Sequence, residues 1–414
     1  MREIGSKDKL YYYKDIRNLI NTVTLKSRIV PEALRNAVNS ALKLYPHFAV
    51  RPIVRPSTSH PDVFYEDNNN APLVVRDDGR ARHFGTDETN GFMFYVRYRE
   101  NDFTLTAFHG LADGGALFPF LKNIIYYYVK EISPDAAVPD IRTGEAEADD
   151  MDRFAPYEKY ADKDAEYWHY SSSAEFFTPQ ADPAAVPQFF DVTLSTQSFL
   201  NFTRKIGTSF VPALISLFSE TVLETAGVSG KGIAAYTTVN MRPIFGSHNQ
   251  TNFSETVLMP LTPEMLAEDR GTRCRELRAM LDAQLSRENL QAKMYGTVCA
   301  AKGLPCKTPP EMPRPVYMLT YPGRLDLPEE FSRWISDINM VWSSSLREMA
   351  RGIALVAWTF GPVMRVSIAG IADIKTLAEA FAEKLKLLGL APEVNPSPRV
   401  VGDLFSLKEA STIA

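Results

Sequence analysis

The sequence predicts two α+β sandwich domains, each with its own core. Three observations lead there. The chain has 414 residues, too many for most single domains and enough for two. Hydrophobic residues make up 45% and charged residues 23%, the mixture of an ordinary globular protein with an ample core. Strand-like and helix-like segments fill both halves, without the strict alternation of a doubly wound sheet. The halves are expected at 1–170 and 171–390, with a tail at 391–414.

The elements follow in order. Residues 1–9 are polar and charged, with no apolar leader core, so a cytoplasmic location is expected. Asn18–Leu25 reads as a strand. Residues 31–44 read as an amphipathic helix: Leu34, Ala37, Val38, Ala41 and Leu42 share a face, and Pro31 sits in the first turn, where a helix tolerates it. Short strands are expected at 49–54, 63–65 and 73–75. A hairpin over 92–108 leads into a helix at 116–130. Residues 131–187 are rich in Pro, Ala and acidic residues and read as the interdomain connection, long enough for part of it to pack as a crossover. In the second half, helices are expected at 211–225 and over most of 263–293. Strands are expected at 232–239, 255–259, 316–320, 338–342, 353–360 and 363–369. A last helix starts at an Asp373 cap and stops at Gly389. The apolar stretch 352–372 is interrupted by Gly361-Pro362 and Arg365. It reads as a buried hairpin and not as a membrane span.

Several function classes are set aside. A net charge of −5 gives no basic footprint for nucleic acid. Cys274, Cys299 and Cys306 lack C-x-x-C spacing, so neither a disulfide framework nor a zinc site is expected, and buried thiols are. The stretch 227–232 hints at a phosphate loop but lacks the first Gly and the Ser or Thr after Lys231. Asp67-Asn68-Asn69-Asn70 hints at a calcium loop, but Pro72 stands where the turn glycine belongs. His47, His60, His83, His169 and His248 have no partner pattern.

His109-Gly110-Leu111-Ala112-Asp113-Gly114 carries the chemistry. It reads H-x-x-x-D-G and falls where the strand-like run 103–108 gives way to the helix. A histidine at a strand end can project its imidazole into a cleft, and imidazole is the usual proton shuttle near neutral pH. The plainer reading is a hydrogen-bonded histidine at a strand end. Asp113 is placed for a helix N-cap. Gly114 and Gly115 are expected to let the backbone turn tightly into the helix. His109 and Asp113 as metal ligands would want a third, and none is visible. A second segment of interest is Asn240-Met241-Arg242-Pro243, followed by Thr251-Asn252-Phe253-Ser254-Glu255.

The motif resembles that of the chloramphenicol acetyltransferase-like superfamily, which includes alcohol acetyltransferases, plant-type hydroxyl acyltransferases and condensation domains of nonribosomal peptide synthetases. Arg242-Pro243 and Asn252-Phe253 resemble the superfamily's Arg-Pro-like pair and Gly-Asn-Phe-type strand. Leu319-Thr320-Tyr321-Pro322-Gly323, with Leu327-Pro328, is similar to a strand-turn near the tunnel of alcohol acetyltransferases. Glu255 departs from the Asn usual in condensation domains, and the plant-type D-F-G-W-G motif is absent.

The resemblance implies two sandwich domains forming a pseudo-dimer around a central channel. It implies acyl transfer from a thioester to an acceptor hydroxyl, with His109 as general base and acyl-CoA as co-substrate, no cofactor being tightly bound. An amine acceptor and a donor on a carrier protein in trans stay open, as does a non-catalytic homologue that binds an acyl chain or carrier. It implies that Asp113 faces away from the cleft and pairs with Arg242, and one carboxylate could do this and cap the helix. Ser343–Ser345 and Asn252 are weak options for the oxyanion donor. Phe118, Phe120 and Trp342 are options for channel lining, although core packing explains them as well. No metal site, nucleic acid or integral membrane segment is expected.

Overall fold

The computed structural model of the chain describes residues 1–13, 18–55, 62–80, 82–144, 149–179, 188–307, 309–343, 353–371 and 373–397. It has two main sheets, each covered by helices, and a three-stranded sheet at one side. The first sheet has five strands in the order Ile335–Ser343, Asn18–Leu25, Asp102–Phe108, Phe94–Arg99, Val74–Arg76. The second has seven, in the order Ser254–Leu261, Ile233–Asn240, Tyr317–Arg324, Ile353–Phe360, Val363–Gly370, Gln188–Ser195, Glu393–Pro396. The small sheet pairs Asp62–Asp67 with Arg2–Glu3 and Val50–Arg55.

Each main sheet buries its own core. In the first, helix Pro31–Lys43 turns Ala33, Leu34, Ala37, Val38 and Ala41 inward, the i, i+3, i+4 stripe of a core-facing helix. Helix Gly114–Ile132 packs alongside it and buries Leu117, Phe120, Leu121, Ile124 and Tyr128. In the second, helices Phe210–Thr225 and Ile374–Leu387 cover the sheet, and Phe218 and Phe381 meet edge to face. Strands 353–360 and 363–370 form the expected hairpin. Its two-residue turn places Gly361 at φ 54°, the left-handed first position such a turn requires. No single helix among the described residues is long and apolar enough to cross a membrane.

Two features depart from the sequence reading. Strand 335–343 lies in the second half of the chain but pairs antiparallel with strand 18–25 of the first sheet, so the sheets do not divide cleanly at residue 170. Residues 391–397, expected to open a tail, contain strand 393–396, which pairs with strand 188–195. The rest of that expected tail lies outside the described residues. The connection after residue 132 does pack as a crossover. It carries helices Asp150–Phe154 and Pro156–Tyr160, and Asp152 accepts from Ser247 Oγ (2.6 Å) and His248 N (3.0 Å).

Candidate active site

His109 follows directly on strand 102–108 and is buried. It lines a cavity of about 140 Å³ between the two main sheets. One wall comes from Leu19, Ile20 and Asn21, and the other from Thr238, Asn240 and Thr320.

Among the described residues the ring is held from two directions. The ring of Tyr11 stacks on it, 4.3 Å between centroids and 13° from parallel. Asn252 Oδ1 lies 3.1 Å from His109 Nδ1. The orientation of the Asn252 amide is fixed by its other end. Its Nδ2 donates to Asp8 Oδ1 and to the His109 carbonyl, both at 2.8 Å. Both N–H groups are thereby engaged, so the atom facing the imidazole is an acceptor. Nδ1 must then carry the proton, and in the neutral ring Nε2 is the basic nitrogen. Asp8 is itself buried, and that burial pushes its carboxyl well above the usual carboxylate range against the opposing pull of the Asn252 hydrogen bond.

Asp113 does both jobs open to it. Its Oδ1 accepts from Ala116 N at 2.9 Å and caps helix 114–132. The same carboxylate pairs with Arg242, Nη2 to Oδ1 at 2.9 Å and Nη1 to Oδ2 at 3.1 Å. Phe253 N donates to Oδ2 at 2.9 Å. Burial works to raise the Asp113 pKa, but the Arg242 charge and these hydrogen bonds outweigh it and hold the carboxyl below its ordinary value. Arg242 also donates from Nε to Asn249 O (2.7 Å) and from Nη2 to Thr251 O (2.8 Å). The loop 249–253 is therefore tied to the His109 loop through one ion pair and one side-chain amide. Phe253 anchors it in a small cluster with Tyr157, Met241 and Phe245.

Other expected residues fall differently. Gly114 needs no left-handed backbone, and a Cβ there would meet nothing within 4 Å. Its lack of a side chain leaves room on the cavity wall. Gly115 is the constrained one, since a Cβ would lie 3.1 Å from Arg242 Nη1. Asn252 is no oxyanion donor, because its N–H groups are engaged. Of Ser343–Ser345, residues 344 and 345 and the Ser343 side chain lie outside the described residues, as do the Trp342 side chain and His60. Phe120 belongs to the first core, against Tyr45, Phe48 and Phe94, and Phe118 packs against that core. Neither lines the cavity. Glu255 is buried, accepts from Tyr157 Oη (3.1 Å) and pairs with Lys7 (3.7 Å). Cys274 and Cys299 are buried as expected, but Cys306 is exposed.

Helix Ser6–Tyr13, which brings Asp8 and Tyr11 to the site, was not legible in the sequence. It is short and only weakly amphipathic, so it has no clear stripe to detect. Thr320 was within a segment singled out but had no role. It lines the cavity, and its buried hydroxyl has no hydrogen-bond partner among the described residues.

No family model matches the chain, and no curated protein matches its sequence. Solved structures do match along nearly its whole length. TRI101 from F. sporotrichioides, complexed with coenzyme A and T-2, aligns with a TM-score of 0.64 at 11% identity, covering 95% of this chain and 99% of that one. Polyketide synthase associated protein 5 from Mycobacterium tuberculosis aligns at 0.61 and 16% identity, over 94% and 97%. TRI3 trichothecene 15-O-acetyltransferase from Fusarium sporotrichioides aligns at 0.61 and 11%, over 94% of each chain. The chain has the chloramphenicol acetyltransferase-like fold. Within that fold the cavity lies where the two sandwich lobes meet, and His109 faces it from the first.

Proposed function

We propose that the protein transfers an acyl group from an acyl thioester, acyl-CoA in the first instance, to the hydroxyl of a small acceptor. The observation that carries this reading is the His109–Asn252 contact, which leaves Nε2 as the basic nitrogen of a neutral imidazole lining the interlobe cavity. His109 takes the acceptor's proton as its oxygen attacks the thioester carbonyl. It returns that proton to the thiolate as the tetrahedral intermediate collapses. Asp113 and Arg242 also line this cavity, so the carboxylate does not turn away from the cleft, but they are engaged with each other and serve to hold the loop that holds the imidazole. Thr320 Oγ is the donor for the oxyanion, a role that needs a preorganised hydrogen bond in a water-poor site. Coenzyme A in the TRI101 complex and the acetyl transfer in the TRI3 name support the donor and the reaction class. A cytoplasmic site of action belongs to the same proposal.

The test is thiol release from a panel of acyl-CoAs with mixed alcohol and amine acceptors, for the native chain and His109→Ala. Acceptor-dependent release that disappears in the variant is the expected result. Equal release by both proteins would remove His109 as the base. No release from either folded protein would turn the reading to a carrier-bound donor or to a non-catalytic binder.

A further inference from the structure

A second cavity lies off the edge of the seven-stranded sheet. Its volume is about 500 Å³, against about 140 Å³ for the one at His109. Small-molecule sites commonly occupy roughly 300–1,000 Å³. Leu258 of the edge strand 254–261 and Tyr236 of its neighbour 233–240 wall it on one side, helix Arg287–Lys302 on another, and Tyr167 and Trp168 of the crossover close it. The linings of the two cavities come near each other on one strand. Tyr236 lines one and Thr238 the other. Two residues apart on one strand, they share a face about 7 Å apart. Leu10 lines the second cavity and the next residue, Tyr11, stacks on His109.

The floor of this second cavity carries an unbalanced charge. Glu255 is engaged by Tyr157 Oη, by Thr256 N (2.8 Å) and by Lys7. Lys293 also reaches the floor. Among the described residues its ammonium has no hydrogen bond and no ion pair within 4 Å. Glu255 attracts it from farther off, but burial prevails and holds its pKa below the usual lysine value. Among the described residues two ammonium groups, Lys293 in the lining and Lys7 behind it, answer the one carboxylate of Glu255, which leaves one net positive charge. A mostly buried ammonium with no partner among the described residues is costly to keep, and in a cavity it is a candidate functional group.

We infer that this cavity binds the acyl acceptor, and that the acceptor is a small molecule with an aromatic or apolar body and one carboxylate seated against Lys293. The single net positive charge fits a monoanion and not the several hydrated charges of coenzyme A. The wall of rings and aliphatic groups fits the body. This rests on the acyl-transfer reading, with the hydroxyl of the same molecule reaching toward His109.

The test separates binding from turnover. Fluorescence of 8-anilinonaphthalene-1-sulfonate, an aromatic monoanion, is titrated with the native chain, Lys293→Met and His109→Ala. Bound probe is then displaced with 4-hydroxyphenylacetate, with its uncharged analogue 4-(2-hydroxyethyl)phenol, or with coenzyme A. The expected result is saturable binding to the native chain and to His109→Ala, with the acid displacing probe at tenfold or more lower concentration than the neutral analogue. Lys293→Met should lose that preference while its Tm stays level or rises, because methionine removes an unpaired charge and keeps the volume. Unsaturable binding, equal displacement by acid and neutral analogue, an unchanged preference in Lys293→Met, or displacement by coenzyme A alone would each overturn it. A chain that binds the acid with this preference but shows no acyl transfer would keep the site and remove the acyl-transfer reading.

Discussion

Replacing Asp113 with alanine is the sharpest perturbation of the site's frame. The carboxylate accepts four hydrogen bonds, two from Arg242 and one each from Phe253 N and Ala116 N. Its removal strands a guanidinium whose side chain is only 13% exposed. Breaking a buried pair from one side costs about 3–5 kcal/mol. Arg242 keeps Asn249 O, Thr251 O and Asn240 Oδ1 as acceptors, which places the expectation near the lower end, about 3 kcal/mol. The lost helix cap, about 1 kcal/mol by itself, is contained in that figure. Arg242→Met leaves a carboxylate that retains two amide donors and should cost a similar amount. The double variant strands neither charge, so its cost should fall short of the summed singles by about 2 kcal/mol. Urea unfolding of the four proteins, followed by circular dichroism, measures the cycle. Single costs under about 1 kcal/mol, or a double variant equal to the sum, would show that the pair does not hold the loop.

Three further outcomes follow from the same geometry. Asn252→Ala removes the acceptor that fixes the His109 tautomer, so kcat should fall roughly 100-fold with KM little changed, read in steady-state thiol release; an unchanged kcat would refute the tautomer argument. Thr320→Val keeps the shape and deletes the hydroxyl, and should lower kcat by roughly 10²–10³ without lowering stability, since among the described residues the hydroxyl has no partner to lose. The Asp113 pKa is depressed in the folded protein, so its contribution is present above the unfolded-state pKa of about 3.9 and lost as pH falls through the lower folded value. The stability gap between the native chain and Asp113→Asn should therefore be flat above about pH 5 and close below about pH 4, as measured by thermal unfolding across pH.

The elements that carried their own local signals were the legible ones. The 31–43 helix has a five-residue apolar stripe behind Pro31, and the 353–370 hairpin announces its turn with Gly-Pro. His109 and Asp113 stood out because a strand end, a cap residue and a glycine fall together in one short run. The partners of His109 were hidden for a physical reason. Asp8, Tyr11 and Asn252 lie 101, 98 and 143 positions away in the chain, and only tertiary packing brings them to the ring. Asn252 was singled out by resemblance, but nothing in a single sequence says that its amide accepts from the imidazole instead of donating to an oxyanion. Lys293 was hidden likewise: on a helix with no marked apolar face, a lysine reads as solvated until the crossover is seen to close over it.

Strand 335–343 gives the last expectation, that the first half of the chain does not fold alone. This strand covers one edge of the 18–25 strand along its whole length. It adds Ile335, Ile338 and Met340 to the first core, and Trp358 of the second sheet donates from Nε1 to Ile338 O at 3.2 Å. Without it, residues 1–170 would present an unpaired strand edge next to uncovered apolar surface, the arrangement that drives edge-to-edge association. Three buried aliphatic side chains represent about 1.5–3 kcal/mol each, comparable in sum with the whole stability of many domains. The fragment 1–170 should therefore express as aggregate and become monodisperse only when 171–397 is supplied with it, as seen by size-exclusion chromatography. A soluble, cooperatively unfolding 1–170 would refute this, and would mean that the interlobe cavity joins two independent units and does not depend on one strand exchanged between them.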